Sequence, residues 1–240
     1  MTTIDLPLTA TTAPVTLDLY RDIHKAIRAE LFAVTEEAGR LDPSQGIARA
    51  ALATHVGQVV DLLVGHAEHE DGAIQPVLER ELPELAERVE VDHLTLEAHL
   101  VDLRAMAEDA AALGSADPGA RVHRLYLALA SFTGDYLAHQ DVEERVIMPA
   151  LERAVGIEAV VGIHQAILGA IPPEEMARSL ALMFPAMNIE DRVELLSGMR
   201  ATAPAEAFEG VWGLVSSVLE PDDLRALEAR LVQGGEIDDR

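Results

Sequence analysis

Apolar positions recur along this chain with a helical period from near its start to its end. They begin near Thr16 and run through Leu17, Ile23, Ile27, Leu31 and Val34, until Gly39 and the Asp42-Pro43-Ser44 cluster stop them. A second run extends from about Gln45 to Glu81, with Pro76 near its end, and Pro83 separates it from a third over about 84–113. After a loop at Gly114–Gly119, a fourth run spans about 120–154 and carries Pro149 in its last turns. Four long helices joined by short links force antiparallel neighbours, so 16–155 is expected to form an up-down-up-down four-helix bundle. From 156 to 240 the runs are shorter, with Pro172-Pro173, Pro185, Pro204 and Pro221 placed where helices begin or end. That pattern predicts an additional C-terminal helical subdomain packed around Met183, Phe184, Met187, Phe208 and Trp212. Residues 1–15, rich in Thr, are expected to be a flexible start.

Composition agrees with an all-α protein. Ala, Leu, Val and Glu dominate, aromatic residues make up only 3%, and β-branched runs are few. The formal net charge is −24, which repels nucleic-acid phosphates and anionic membrane surfaces, so neither is an expected partner. There is no cysteine, which excludes zinc–thiolate sites, iron–sulfur clusters and thiol catalysis. Any metal must be held by histidine and carboxylate. The first residues lack the basic start and apolar core of a signal peptide, and no later stretch is expected to reach the length of a membrane span. A cytoplasmic protein is expected.

The candidate chemistry lies in an internal repeat. His66-Ala-Glu-His-Glu70-Asp-Gly-Ala-Ile74-Gln-Pro76-Val-Leu78 matches His139-Gln-Asp-Val-Glu143-Glu-Arg-Val-Ile147-Met-Pro149-Ala-Leu151. Both read H-x3-E-x3-I-x-P-x-L. A looser pair aligns His24-Lys-Ala-Ile-Arg-Ala29-Glu-Leu31 with His93-Leu-Thr-Leu-Glu-Ala98-His-Leu100. Helices one and three thus each offer a histidine, and helices two and four each offer His-x3-Glu. Residues i and i+4 share a helix face, so His66 points with Glu70 and His139 with Glu143. Four imidazoles and two carboxylates inside a bundle would be costly to bury without a cation. The ligand count fits two ions sharing two carboxylates, and imidazole–carboxylate donors without thiolate suit non-haem iron, with manganese or zinc as weaker options.

The order H…H-x3-E…H…H-x3-E over about 24–151 resembles the hemerythrin-like, or HHE cation-binding, family. The resemblance implies two iron ions with an oxo or hydroxo bridge and Glu70 and Glu143 as bridging ligands. It also implies His24 and His66 on one iron, and His93 and His139 on the other. Oxygen-carrying hemerythrins have a further histidine four residues after the third-helix ligand, where this chain has Glu97; their last carboxylate is an aspartate five residues after its histidine, whereas Glu143 lies at four. Glu97 is therefore a candidate seventh ligand, and its counterpart in the first half, Arg28, cannot ligate. An anionic ligand there would favour ferric iron. The expected activity is a reaction with O2, hydrogen peroxide or nitric oxide, of a detoxifying, peroxidase- or catalase-like kind. A non-enzymatic iron or oxygen sensor and a reversible O2 binder are the alternatives. A ferritin-like oxidase is disfavoured, because neither half supplies Glu-x-x-His.

Overall fold

The computed structural model describes residues 14–112, 114 and 117–238, and among them the regular structure is entirely helical. Part of the expected flexible start, residues 1–13, lies outside the described residues. The first helix, α1 (Arg21–Arg40), starts later than the apolar pattern does. Asp18 Oδ1 accepts hydrogen bonds from the Tyr20 and Arg21 backbone N–H groups, and this carboxylate sets the start. The expected second helix is broken into α2 (Gly46–Ala73) and α3 (Gln75–Glu81), and α4 (Pro83–Ala111) follows. The fourth is α5 (Pro118–Val142), a π-helical turn (Glu143–Ile147) and α6 (Met148–Val155) in unbroken succession. Gly156, at φ 79°, ends it in a backbone region that suits glycine, and α7 (Ile157–Ala170) begins. Then come α8 (Pro173–Ala186), α9 (Ile189–Thr202), α10 (Ala205–Val218) and α11 (Pro221–Asp238).

Among the described residues, contacts divide the chain into two compact units, 14–21 with 27–170 and 22–26 with 171–238. In the first unit, α1 meets α5 through Thr35 and Thr133, whose hydroxyls lie 3.1 Å apart, and meets the π-helical turn after it through Arg28 and Glu144 at 2.7 Å. Gly39 allows the close approach at the far end, where a Cβ would stand 3.1 Å from the Tyr126 ring. The buried Arg49 of α2 donates through Nε to the Ala110 carbonyl of α4 at 2.9 Å, and Arg104 of α4 reaches Asp61 of α2. Asp109 of α4 pairs with Arg121 and Arg124 of α5. In the α1–α5 and α2–α4 pairs the contacting residue numbers rise on one helix as they fall on the other, so these neighbours run antiparallel.

The apolar half of the repeat has a structural purpose. Ile74 and Leu78 from one copy and Ile147 and Leu151 from the other pack into a single buried cluster with Tyr20, Val142, Val160 and Ile163. Helix α7 thereby closes the end of the unit. One expectation is corrected: α2 is long and apolar enough to cross a membrane by length and composition. About a third of its most apolar stretch is buried, and Leu52, Val56, Val59, Val60 and Leu63 are among the buried residues of the helix.

In the second unit, α8 to α11 begin at regular intervals of 16 residues. Helix α10 packs on α8 and α9, and α11 packs on α9, around Leu180, Phe184, Leu196, Val215, Leu219, Leu227 and Leu231. Asn188 caps α9 by accepting from the Glu190 and Asp191 N–H groups. The buried Arg192 donates from Nε to the Phe184 carbonyl and pairs with Asp223. Lys25, in the first turns of α1, is ion-paired with Asp191. Pro185 sits inside α8 rather than at a helix boundary; in the last turn it displaces little of the hydrogen-bond ladder.

Candidate metal centre

Helix geometry delivers the two His-x3-Glu pairs as the spacing requires. His66 Nε2 lies 3.1 Å from Glu70 Oε1 on α2, and His139 Nε2 lies 3.1 Å from Glu143 Oε1 at the end of α5. From α4, His93 Nε2 is 3.4 Å from Glu70 Oε2 and 3.8 Å from Glu143 Oε1. His24 of α1 is fully buried. His24, His66, Glu70 and Glu143 each offer a ligand atom, all within 4.8 Å of one another; Glu70, His93, His139 and Glu143 do the same. Six of the seven predicted residues are thus brought together, and the two carboxylates belong to both groups.

Glu97 stands apart. It is exposed, belongs to neither group, and lines a cavity of about 260 Å³ together with Asp71, Glu79, Glu90 and His93. Its counterpart Arg28 pairs with Glu144, the carboxylate at the alternative five-residue spacing. His55, on the same helix as His66, is held between Glu37, at 2.6 Å from Nδ1, and Glu30, at 3.3 Å from Nε2. His99 and His123 are exposed.

Two residues that the sequence reading passed over support the centre from outside. His93 donates from Nδ1 to Asp71 Oδ1 at 2.9 Å, and His139 Nδ1 lies 3.9 Å from Asp92 Oδ2. Each aspartate is adjacent in the chain to a candidate ligand, Asp71 after Glu70 and Asp92 before His93. That adjacency was the available signal. Which histidine each would face depends on how the helices pack, and periodicity does not report it.

The electrostatics are those of a buried anionic pair. Burial alone would lower the His93 pKa, but the Glu143 and Glu70 carboxylates outweigh it and raise it to about 11. His139 follows the same balance, with burial opposed by Glu143 and Asp92, and rises to about 9. Tyr20 and Tyr136 are held well above their ordinary pKa, first by burial and then by the charges of Glu70 and Glu143. The Tyr136 ring meets His139 edge-on at 5.8 Å between centroids. Gln140, beside His139, is fully buried with neither amide atom hydrogen-bonded, and nothing in the structure explains it.

A cation suits this donor set. Glu70 and Glu143 are 6% and 1% exposed, which is too buried for carboxylates without a compensating positive charge. His93 Nε2 is buried and makes no hydrogen bond, while Nδ1 is engaged by Asp71, so the free nitrogen is the one turned toward both glutamates. Four imidazoles and two carboxylates without sulfur are donors for iron and similar transition metals. The arrangement defines a class, a helical protein with a buried histidine–carboxylate cluster that could hold metal. Within that class, the model of the family described as Hemerythrin HHE cation binding domain matches residues 15–151, and the chain belongs to this family. No curated protein and no solved structure matches the chain.

Proposed function

We propose that this is a cytoplasmic non-haem di-iron protein that reacts with O2, hydrogen peroxide or nitric oxide in a detoxifying, peroxidase- or catalase-like role. The observation that carries the reading is that the two groups of ligand atoms share Glu70 and Glu143. Two ions bridged by these carboxylates, and by an oxo or hydroxo group, would each take two histidines, His24 with His66 and His93 with His139. The surrounding helices are then the family's up-down-up-down bundle over about 16–155, and the remaining helices to 240 form an additional subdomain.

A pair of iron ions so held supplies redox chemistry toward small oxidants. The protein's part is to hold and shield it. Glu70 and Glu143 would hold both ions, and the Ile74, Leu78, Ile147 and Leu151 cluster packs one end of the unit with apolar side chains. Tyr20 and Tyr136 are buried beside the two glutamates. With Glu97 at the surface, six side chains would serve two ions, which would leave coordination positions for an external molecule. The test is metal content and an absorption spectrum of the purified protein before and after peroxide. Two irons per chain, with oxo-to-iron charge-transfer bands that change on addition, are expected; one zinc, or no metal, overturns the reading.

A further inference from the structure

We propose that Asp71 is a positioning residue for the metal centre, acting through His93 to fix its ligating nitrogen and to set the electron density that nitrogen donates. The inference rests on the di-iron reading and adds a residue to it. Three observations meet at this point.

First, His93 reaches the centre from α4 with Nε2, which approaches both Glu70 and Glu143, so its ring orientation matters to both shared carboxylates. Second, the other ring nitrogen donates to Asp71 Oδ1 at 2.9 Å. A proton fixed on Nδ1 leaves the Nε2 lone pair for a metal, and a charged acceptor on that proton makes the imidazole a stronger donor. Third, Asp71 follows Glu70 directly on α2, so one stretch of backbone carries both a shared carboxylate and the anchor of a histidine from another helix. Registry between α2 and α4 is thereby tied to the geometry of the centre.

The second half lacks an equal contact. His139 Nδ1 is 3.9 Å from Asp92, beyond hydrogen-bond distance, and Glu144, which stands where Asp71 does in the repeat, pairs with Arg28. The carboxylate after the motif glutamate thus anchors a histidine in one half and an arginine in the other. An aspartate that merely decorated the surface would have no reason to meet the inner histidine; the Asp71 side chain is 45% exposed, yet its oxygen is spent on a ring that is 5% exposed.

The test compares wild type with Asp71→Ala and Asp71→Asn, and uses Asp61→Ala as a control on the same helix. Asp61 pairs with Arg104 and is remote from the ligand groups. Ferrous affinity is read by competition with a chromophoric chelator, and the reduction potential of the loaded centre by titration. Asp71→Ala is expected to weaken binding of one of the two ions by about 10–100-fold. Asp71→Asn still accepts the Nδ1 proton but carries no charge, so it should recover most of the affinity while the potential moves to a more positive value. Asp61→Ala should change neither. If Asp71→Ala fails to fold, the potential of the Asn variant decides alone. Wild type without two irons defeats the di-iron reading. Wild type with two irons and Asp71 variants of unchanged affinity and potential defeats this inference only.

Discussion

In the first copy of the repeat the Glu70 carbonyl accepts from the Ile74 N–H, four residues on, and α2 ends there; in the second, the Glu143 carbonyl accepts from the Met148 N–H, five residues on, and the helix runs through. The cause is the same in both. Pro76 and Pro149 lack an N–H, so the regular ladder cannot continue past them unchanged. One copy stops and restarts, and the other widens into a π-helical turn, a feature often found at functional sites. The His–Glu distance is nonetheless 3.1 Å in both copies. The ligand pair therefore depends on one helical turn before the break and not on how the backbone resolves the break. The copies also differ in depth, since Glu143 is 1% exposed and Glu70 6%.

The comparison is broken most severely by removing the shared carboxylates. Glu143→Ala and Glu70→Ala each take one atom from both ligand groups, and either should reduce iron below two per chain by elemental analysis. The loss in affinity should exceed the roughly 10–100-fold typical of outer partners. The Glu143 variant is expected to suffer more, since its site is deeper. Equal retention of two irons in both variants would show that the carboxylates do not bridge.

A smaller effect sharpens the backbone contrast. Pro149→Ala restores an N–H that can bond to the Arg145 carbonyl, so the π-helical turn should relax toward a regular helix and shift Ile147 and Leu151, downstream of Glu143, in the apolar cluster. Circular dichroism should show helicity kept or raised, while ferrous affinity falls by roughly tenfold. Pro76→Ala, beyond a break that already lies after Glu70, should leave affinity closer to wild type. An equal loss in the two would deny the π-helical turn any special part.

The smallest expected effect concerns the clamp that His55 makes between α1 and α2. Hydrogen bonds to Glu30 and Glu37 raise the His55 pKa to about 9 against an opposing effect of burial. A folded-state pKa above the unfolded value of about 6.5 means that the contribution is complete below pH 6.5 and is lost as pH rises through 9. Because the three side chains are partly exposed, the contribution is about 1 kcal/mol after solvent screening. His55→Gln should therefore lower Tm by about 2–4 °C at pH 6 and by much less at pH 10. A pH-independent difference would mean that packing, not charge, holds the clamp.

The candidate site was legible in sequence because four of its six residues obey two local rules, the one-turn spacing of His-x3-Glu and its repetition in the other half, and a looser pairing adds His24 and His93. What escaped depends on helices meeting. Asp71 and Asp92 look like ordinary surface carboxylates until α2, α4 and α5 are packed, and Glu97 shares a helical stripe with His93 yet points to solvent. Helix starts were displaced where a side chain intervenes, as Asp18 does for α1. The prolines were visible, but whether each would stop or widen its helix was not, since that choice rests on the packing beyond it. The sequence pattern places helix α7 with the C-terminal part because Gly156 interrupts it, although contacts group it with the first unit.

If two irons occupy the groups that share Glu70 and Glu143, the sharing has a consequence for how they load. The first ion to arrive would draw both carboxylates into place and relieve their mutual repulsion, so the second would meet a half-built site. Loading would then be cooperative. At sub-stoichiometric iron the population would consist mainly of empty and doubly loaded chains, and molecules with a single ion would be scarce.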